Sequence, residues 1–279
     1  MTGFKPVKRM MDSKNQYVHR FGHYIAYLLQ YRTMMESMVS KELKGKFKYT
    51  ALGYFWHLLN PLSQIVIYYF IFTVIFGKDI PNYWVYISTG MFAFTFINSC
   101  ITGGCNIIVS NKNMVTKMAF ARETLIFSKV LSGLVTLTIS YVILAVLMLI
   151  TGTGPTWCIV FIPILAICMA VFCTGIAFIL SAATVYLRDI ANAVGIIMGC
   201  MMFAIPIFYV ASQRATPLME TIWSINPLYY YIECIHDVFY AGVVPDMMYM
   251  VVCIIVAPIV FVIGLFVFKK LERGFAERL

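Results

Sequence analysis

Residues 130–150 read VLSGLVTLTISYVILAVLMLI, a run without an acid, a base or a histidine. A helix of that length rises about 30 Å, the thickness of a bilayer's hydrocarbon core. Five further stretches obey the same rule, at 58–76, 84–109, 158–180, 191–210 and 250–268. They predict an all-α integral membrane protein with six transmembrane helices. Continuous apolar runs favour helices over a barrel, whose strands alternate in short segments. A charge at bilayer depth is costly and is kept where transport or chemistry needs it. These spans carry none, so they offer no proton relay and no ion-coupling carboxylate. Any work done on a cargo must draw its energy from outside them.

The whole composition agrees: 61% hydrophobic, 12% charged and a mean hydropathy of +0.85. A soluble chain of this size could not carry it. The net charge of +9 is polarised. Of the 21 Lys and Arg, all but Lys78 and Arg214 fall before the first span, between spans two and three, after span four, or in the tail. The positive-inside rule then places both termini in the cytoplasm and excludes a nucleic-acid reading. Three regions follow: a cytoplasmic segment 1–57, the membrane domain 58–268, and a basic tail 269–279. Residues 1–57 lack a signal-peptide pattern, so the first span is expected to stay as an anchor. The eight Cys show no C-x-x-C spacing and read as small hydrophobes. Cys158 with Cys234 is the one pair that could bridge.

Residues 21–43 place Tyr24, Tyr27, Leu28, Tyr31, Met34, Met35 and Met38 on one helical face. That stripe is too broken to span, and predicts an amphipathic helix at the cytoplasmic interface, touching lipid headgroups or a soluble partner. The outer connections 77–83 and 151–157 are short, making hairpins. The third, about 211–249, is long. Asn226-Pro227 has the form of a cap followed by Pro at the first helical position. Leu228, Tyr231, Ile232, Ile235 and Phe239 then share a face as far as Gly242, and a shorter piece, 218–225, precedes them. Two such helices predict a re-entrant hairpin between spans five and six; two helices lying flat on the outer leaflet are the alternative. Pro163 and Pro206 are expected to bend their spans.

Catalytic patterns are absent from the sequence. His19, His23, His57 and His236 are scattered, with no metal-ligand spacing. Glu233 and Asp237, four apart, read as a solvated helix face. No P-loop, nucleophile elbow or H-E-x-x-H occurs. Two features remain. Residues 110–123, SNKNMVTKMAFARE, read as a short amphipathic helix with Met114, Met118 and Phe120 apolar and Lys117, Arg122 and Glu123 polar. Such a helix suits a groove on another protein, or is an ordinary solvated loop. The other is aromatic density, 16% Phe, Trp and Tyr, including Tyr68, Tyr69, Phe72, Trp84, Phe92, Phe94 and Phe96 in the first two spans. It serves interfacial belts and packing, or a surface on which a sugar or lipid chain slides.

Five motifs in order resemble the permease subunits of ATP-binding-cassette polysaccharide exporters, the teichoic-acid and O-antigen permease family. They are Lys48-Tyr49 with Leu52-Gly53-Tyr54-Phe55-Trp56 and Asn60-Pro61; Ser110-Asn111-Lys112-Asn113 with Lys117 to Glu123; Tyr186-Leu187-Arg188-Asp189; Pro206 to Tyr209; and Ile225-Asn226-Pro227-Leu228. Ala121 stands where the family usually has Pro. The resemblance implies a homodimer bound to two cytoplasmic ATPase subunits in a bacterial plasma (inner) membrane, exporting a lipid-linked polysaccharide. ATP and Mg would sit on the partner; this chain would hold no cofactor and no metal, and would not itself be an enzyme. Asn111, Lys112, Asn113, Lys117, Phe120, Arg122, Glu123, Arg188 and Asp189 would couple to the ATPase. Tyr68, Tyr69, Phe72, Trp84, Phe92, Phe94 and Phe96 would line the channel. Trp223, Asn226, Pro227, Tyr230 and Tyr231 would gate it outside. Lys117 to Phe120 and the tail 272–279 point to the teichoic-acid branch, with O-antigen or capsule export as the alternative and drug or peptide export a remoter one. A membrane glycosyl- or acyltransferase would need ionisable groups that the spans lack.

Overall fold

The computed structural model describes residues 30–45, 55–75, 81–118, 120–211 and 216–278. The beginning of the predicted interface helix (21–29), the Lys48-Tyr49 and Leu52-Gly53-Tyr54 motif, and Lys78 and Arg214 lie outside them. Among the described residues every regular element is helical.

The chain runs through α1 (Arg32–Gly45) and α2 (Trp56–Tyr69, continued by a π-helical stretch Phe70–Ile75). Then come α3 (Tyr83–Ser110), α4 (Lys112–Lys117) and α5 (Glu123–Ile150). A 3₁₀ turn at Trp157–Val160 leads into α6 (Phe161–Tyr186), followed by α7 (Asp189–Ala204) and α8 (Pro217–Ile225). After these come α9 (Pro227–His236, continued by a π-helical stretch Asp237–Ala241) and α10 (Met247–Leu271). A short tail of 3₁₀ and α turns covers 272–278.

Among the described residues four helical segments, Tyr83–Ser110, Glu123–Ile150, Trp157–Tyr186 and Met247–Gly274, are long and apolar enough to cross a membrane. The first and fifth predicted stretches are apolar helices too, but shorter, at 58–72 and 189–204. Of the four long segments, the one formed by α3 is the least apolar and the most buried, and the one formed by α10 is the most apolar and the least buried. That inversion is what lipid as a solvent dictates: protein contacts tolerate hydroxyls and glycines, whereas a lipid-facing surface must be hydrocarbon.

The most extensive contact joins α6 to α10, with α3 against α6 and α5 next. The α6–α10 seam is backbone on backbone. A methyl on Gly175 would stand 2.5 Å from the Val260 carbonyl oxygen, and one on Gly264 would collide with the Gly175 carbonyl. Small residues permit that approach where no hydrophobic force separates helix from lipid.

Several expectations change. The third apolar run begins as a helix at Glu123 rather than at 130. Pro163 sits in the first turn of α6, where its missing N–H has no partner to lose, so it starts a helix instead of bending one. Pro206 lies in a turn just past the end of α7. All eight cysteines are free; Cys158 Sγ points to the Gly242 carbonyl at 3.5 Å, so it does not bridge to Cys234.

Candidate functional site

Antiparallel helices bring the connections together at two ends. One end holds α4, the turn at Leu187 and Arg188, and the 269–278 tail; the other holds residues 151–156, 205–211 and 216–246.

At the first end the predicted amphipathic helix over 110–123 is only six residues long. Val115, 2% exposed, anchors it, while Lys112, Asn113 and Lys117 stand in solvent. Asn111 closes α3, its side-chain amide donating to the Ile107 carbonyl at 2.8 Å. Met118 turns extended and is exposed, so it is not an apolar knob of that helix. Phe120 packs against the buried cluster around Leu125, Phe178 and Phe268.

Arg122 and Glu123 are not surface contacts either. Arg122 donates to the Glu272 backbone carbonyl at 2.9 Å, lies 3.7 Å from its carboxylate, and sits over the Phe275 ring at 5.7 Å. Glu123 is fully buried at the start of α5 and pairs with Lys269, which also reaches Glu272 at 3.2 Å. Arg122, Glu123, Lys269 and Glu272 therefore join the loop to the tail. The Tyr186 hydroxyl donates to the Leu271 carbonyl at 2.9 Å and covers Gly274, fixing the same tail from α6. Arg188 and Asp189 are exposed at the start of α7.

The predicted channel aromatics do not share one surface. Tyr68 is half-buried and Tyr69 exposed. Phe72 packs edge-on to Tyr83 at 5.7 Å and stacks on Phe208 at 5.8 Å; Trp84 is half-buried. Phe94 is buried in the core. Phe92 and Phe96, buried overall, nonetheless line a cleft of about 340 Å³ between α2, α3 and α5, with Glu42 of α1 on its wall.

At the other end, Thr216 and Asn226 cap α8 and α9, each followed by Pro at the first helical position. The Asn226 side chain accepts from the Leu228 N–H at 3.0 Å, so this helix start was legible from local chemistry. Trp223 donates from Nε1 to the Ala204 carbonyl at 2.9 Å and stacks on Tyr229 at 5.5 Å. Tyr230 donates to the Ser224 carbonyl at 2.8 Å. Tyr231 is fully buried and donates to the Cys253 carbonyl at 3.0 Å, tying α9 to α10. Its buried position makes it a brace.

The sequence missed the neighbours of this brace. His236, 3% exposed, stacks on Tyr86 at 3.8 Å. The Tyr86 hydroxyl donates to the carbonyls of Pro206 and Tyr209, each at 2.9 Å. Glu233 and Asp237 are half-buried rather than on a solvated face. Burial pushes the Asp237 carboxyl above its ordinary range, the Asp246 N–H bond opposes this, and nearby Glu233 adds to it. No local pattern signals these contacts, because Tyr86 and His236 meet only through the tertiary fold.

The ABC-2 type transporter family matches this chain over residues 33–240. Three similar proteins are each called O-antigen export system permease protein RfbA. One, from Myxococcus xanthus, is 27% identical over 254 residues, spanning 90% of this chain and 96% of the relative. Two from Klebsiella pneumoniae are 30% and 32% identical over 241 and 242 residues, each spanning 86% of this chain and 92% of the relative.

Proposed function

Because this chain belongs to the ABC-2 type transporter family, we propose that it is the membrane subunit of a bacterial exporter moving a lipid-linked, O-antigen-type polysaccharide across the inner membrane. The carrying observation is similarity over 86–90% of the chain to permeases named for O-antigen export. That likeness is far longer than the short stretches at Lys117 to Phe120 and in the tail, so the teichoic-acid reading gives way to the O-antigen one. Energy comes from ATP and Mg on a separate ATPase, present in two copies beside two copies of this chain. The absence of charge from the six apolar runs supports an external motor.

In this reading α2 and α7 complete six spans. Trp56 to Ile75 gives about 30 Å of helix, enough to cross. The residues just after the shorter α7 extend its reach. α8 and α9 form the re-entrant hairpin: α9 buries Leu228, Tyr231, Ile232 and Ile235 against its neighbours, which a helix lying flat on a leaflet would not do. Trp223, Asn226, Pro227, Tyr230 and Tyr231 hold this outer gate together. The end bearing α4 and the tail faces the cytoplasm, with both termini on that side. Lys112, Asn113, Lys117, Arg188 and Asp189 present themselves to the ATPase, with Asn111, Phe120, Arg122 and Glu123 as the frame behind them. Tyr68, Phe72, Phe92 and Phe96 are the aromatics best placed to meet the polymer. The outward apolar faces of α2 and α7, with Val66, Ile67, Phe70, Ile196 and Phe203 exposed, meet lipid or the second copy.

Deleting the gene in its host tests the reading. Polymer should vanish from the cell surface while its lipid-linked form accumulates inside, and the intact gene should reverse both. Unchanged surface polymer with no internal pool would overturn the assignment.

A further inference from the structure

Two tyrosines near the start of α3 gather three stretches of irregular backbone. Phe72, in the π-helical stretch after α2, packs on Tyr83 and on Phe208. The turn after α7 is held by hydroxyls. Tyr83 donates to the Phe208 carbonyl, and Tyr86 shares its proton between the carbonyls of Pro206 and Tyr209. The π-helical stretch after α9 brings Tyr240 edge-on to Tyr86 at 5.2 Å. Backbone that leaves a helix needs other donors, and α3 supplies them here. π-helical turns recur at functional sites.

Tyr86 also holds α9. Its ring stacks on His236 at 3.8 Å, and Gly90, one turn along α3, leaves room for the imidazole: a methyl there would stand 2.7 Å from Nε2. The seat is tight but poorly satisfied. Among the described residues neither ring nitrogen of His236 has a hydrogen-bond partner, and Nδ1 lies 3.8 Å from Glu233 Oε1, which has none either. Buried polar atoms without partners make this position costly, and water would answer them once α9 moved off α3. The stack and the hydroxyl bonds hold the seat shut; the unanswered atoms oppose them.

We propose that Tyr86 and His236 form the latch of the outer gate: the turn 205–209 and α9 leave α3 together, and the unpaired atoms of His236 and Glu233 keep the latch close to opening. Tyr86 is the positioning residue. Its hydroxyl grips the turn and its ring grips α9, so releasing one loosens the other. The pivot is the far side of α9, where Tyr231 stays bonded to the Cys253 carbonyl of α10. The inference rests on reading α8 and α9 as the outer gate, and adds where that gate parts. Two substitutions in one stacked pair then act in opposite directions. Tyr86→Phe keeps the ring and strips the carbonyls of their donor, which loosens the latch. His236→Phe keeps a ring on Tyr86 and removes the unanswered nitrogens, which tightens it. A contact that only supported the fold would be weakened by both.

The test uses the full chain in nanodiscs with Ile207→Cys as reporter, since Ile207 is fully buried in the turn beside Gly90. N-ethylmaleimide labelling, resolved by site with mass spectrometry, gives the opening rate. Cys173, fully buried in α6, stays unlabelled while the fold is intact. Tyr86→Phe should speed labelling at position 207 about tenfold, and His236→Phe should slow it severalfold. Should either variant expose Cys173, a second takes its place. Tyr83→Phe removes the neighbouring donor to the turn, and Glu233→Met removes the unpaired carboxylate at similar length. Either rate moving the other way, or not at all, overturns the latch. In the deletion strain complemented with the slowed variant, surface polymer should fall at unchanged protein level; full export beside slowed labelling overturns its role in the gate. Failure of the exporter reading shows separately, as normal surface polymer in the deletion strain itself, whatever the labelling rates.

Discussion

Glu123 is a carboxylate at the start of an apolar helix with no exposed surface, and its partner Lys269 keeps 42% of its side chain exposed. A buried pair loses most when one member is removed, because the other stays uncompensated. Glu123→Gln keeps the shape and removes the charge. The exposed half of Lys269 can turn to water or to Glu272, so the loss should be about 2 kcal/mol, below the fully buried case. It should appear as a lower melting temperature of the detergent-solubilised protein, with Lys117→Gln, a substitution on the exposed face of α4, leaving it unchanged. Equal melting of wild type and Glu123→Gln would show that the pair carries no stability. The local chemistry at Asn226-Pro227 was readable because cap and helix are neighbours in sequence. The roles of Arg122 and Glu123 were not, because their partners lie in the tail.

At the scale of the element, the α6–α10 seam depends on two positions without side chains. Gly264→Ala would drive a methyl into the Gly175 backbone, and both helices would have to part; about 1–3 kcal/mol should be lost. Gly195→Ala in α7 meets nothing within 4 Å and is the control, neutral or slightly stabilising. Thermal unfolding of the two variants separates crowding from helix propensity: matching melting temperatures would mean the seam yields freely. Each of the six apolar runs falls on a helix, four of them long enough to cross a membrane, because period and length are written in the chain. Their ends were less legible. A rule that stops a span at the first charge cut the third one at 130, yet the helix continues through Lys129 and Glu123. Each of those charges is answered by another element, Glu42 and Lys269, and no window of α5 alone reveals that. The prolines misled for a related reason: a ring in the first turn or just beyond the last one marks a boundary, whereas the sequence run showed no boundary there.

For the whole molecule, the distribution of Lys and Arg predicts which end faces which compartment. In a background without exposed Cys200, Thr153→Cys should react with a membrane-impermeant maleimide on intact spheroplasts, and Lys117→Cys only after lysis. The reverse pattern would invert the topology. The helices beneath the apolar runs were visible in the sequence, while the cleft was not: its walls come from four separate helices, and only their packing sets Phe92 beside Ser132 and Thr136. The cluster of Arg122, Glu123, Lys269 and Glu272 carries a consequence for biogenesis. Arg122 bonds a carbonyl 150 positions later in the chain. The ribosome therefore delivers the loop long before it delivers the residues that close over it. Insertion and final seating become separate events, and the loop proposed to meet the ATPase takes its finished form only after translation has passed Glu272.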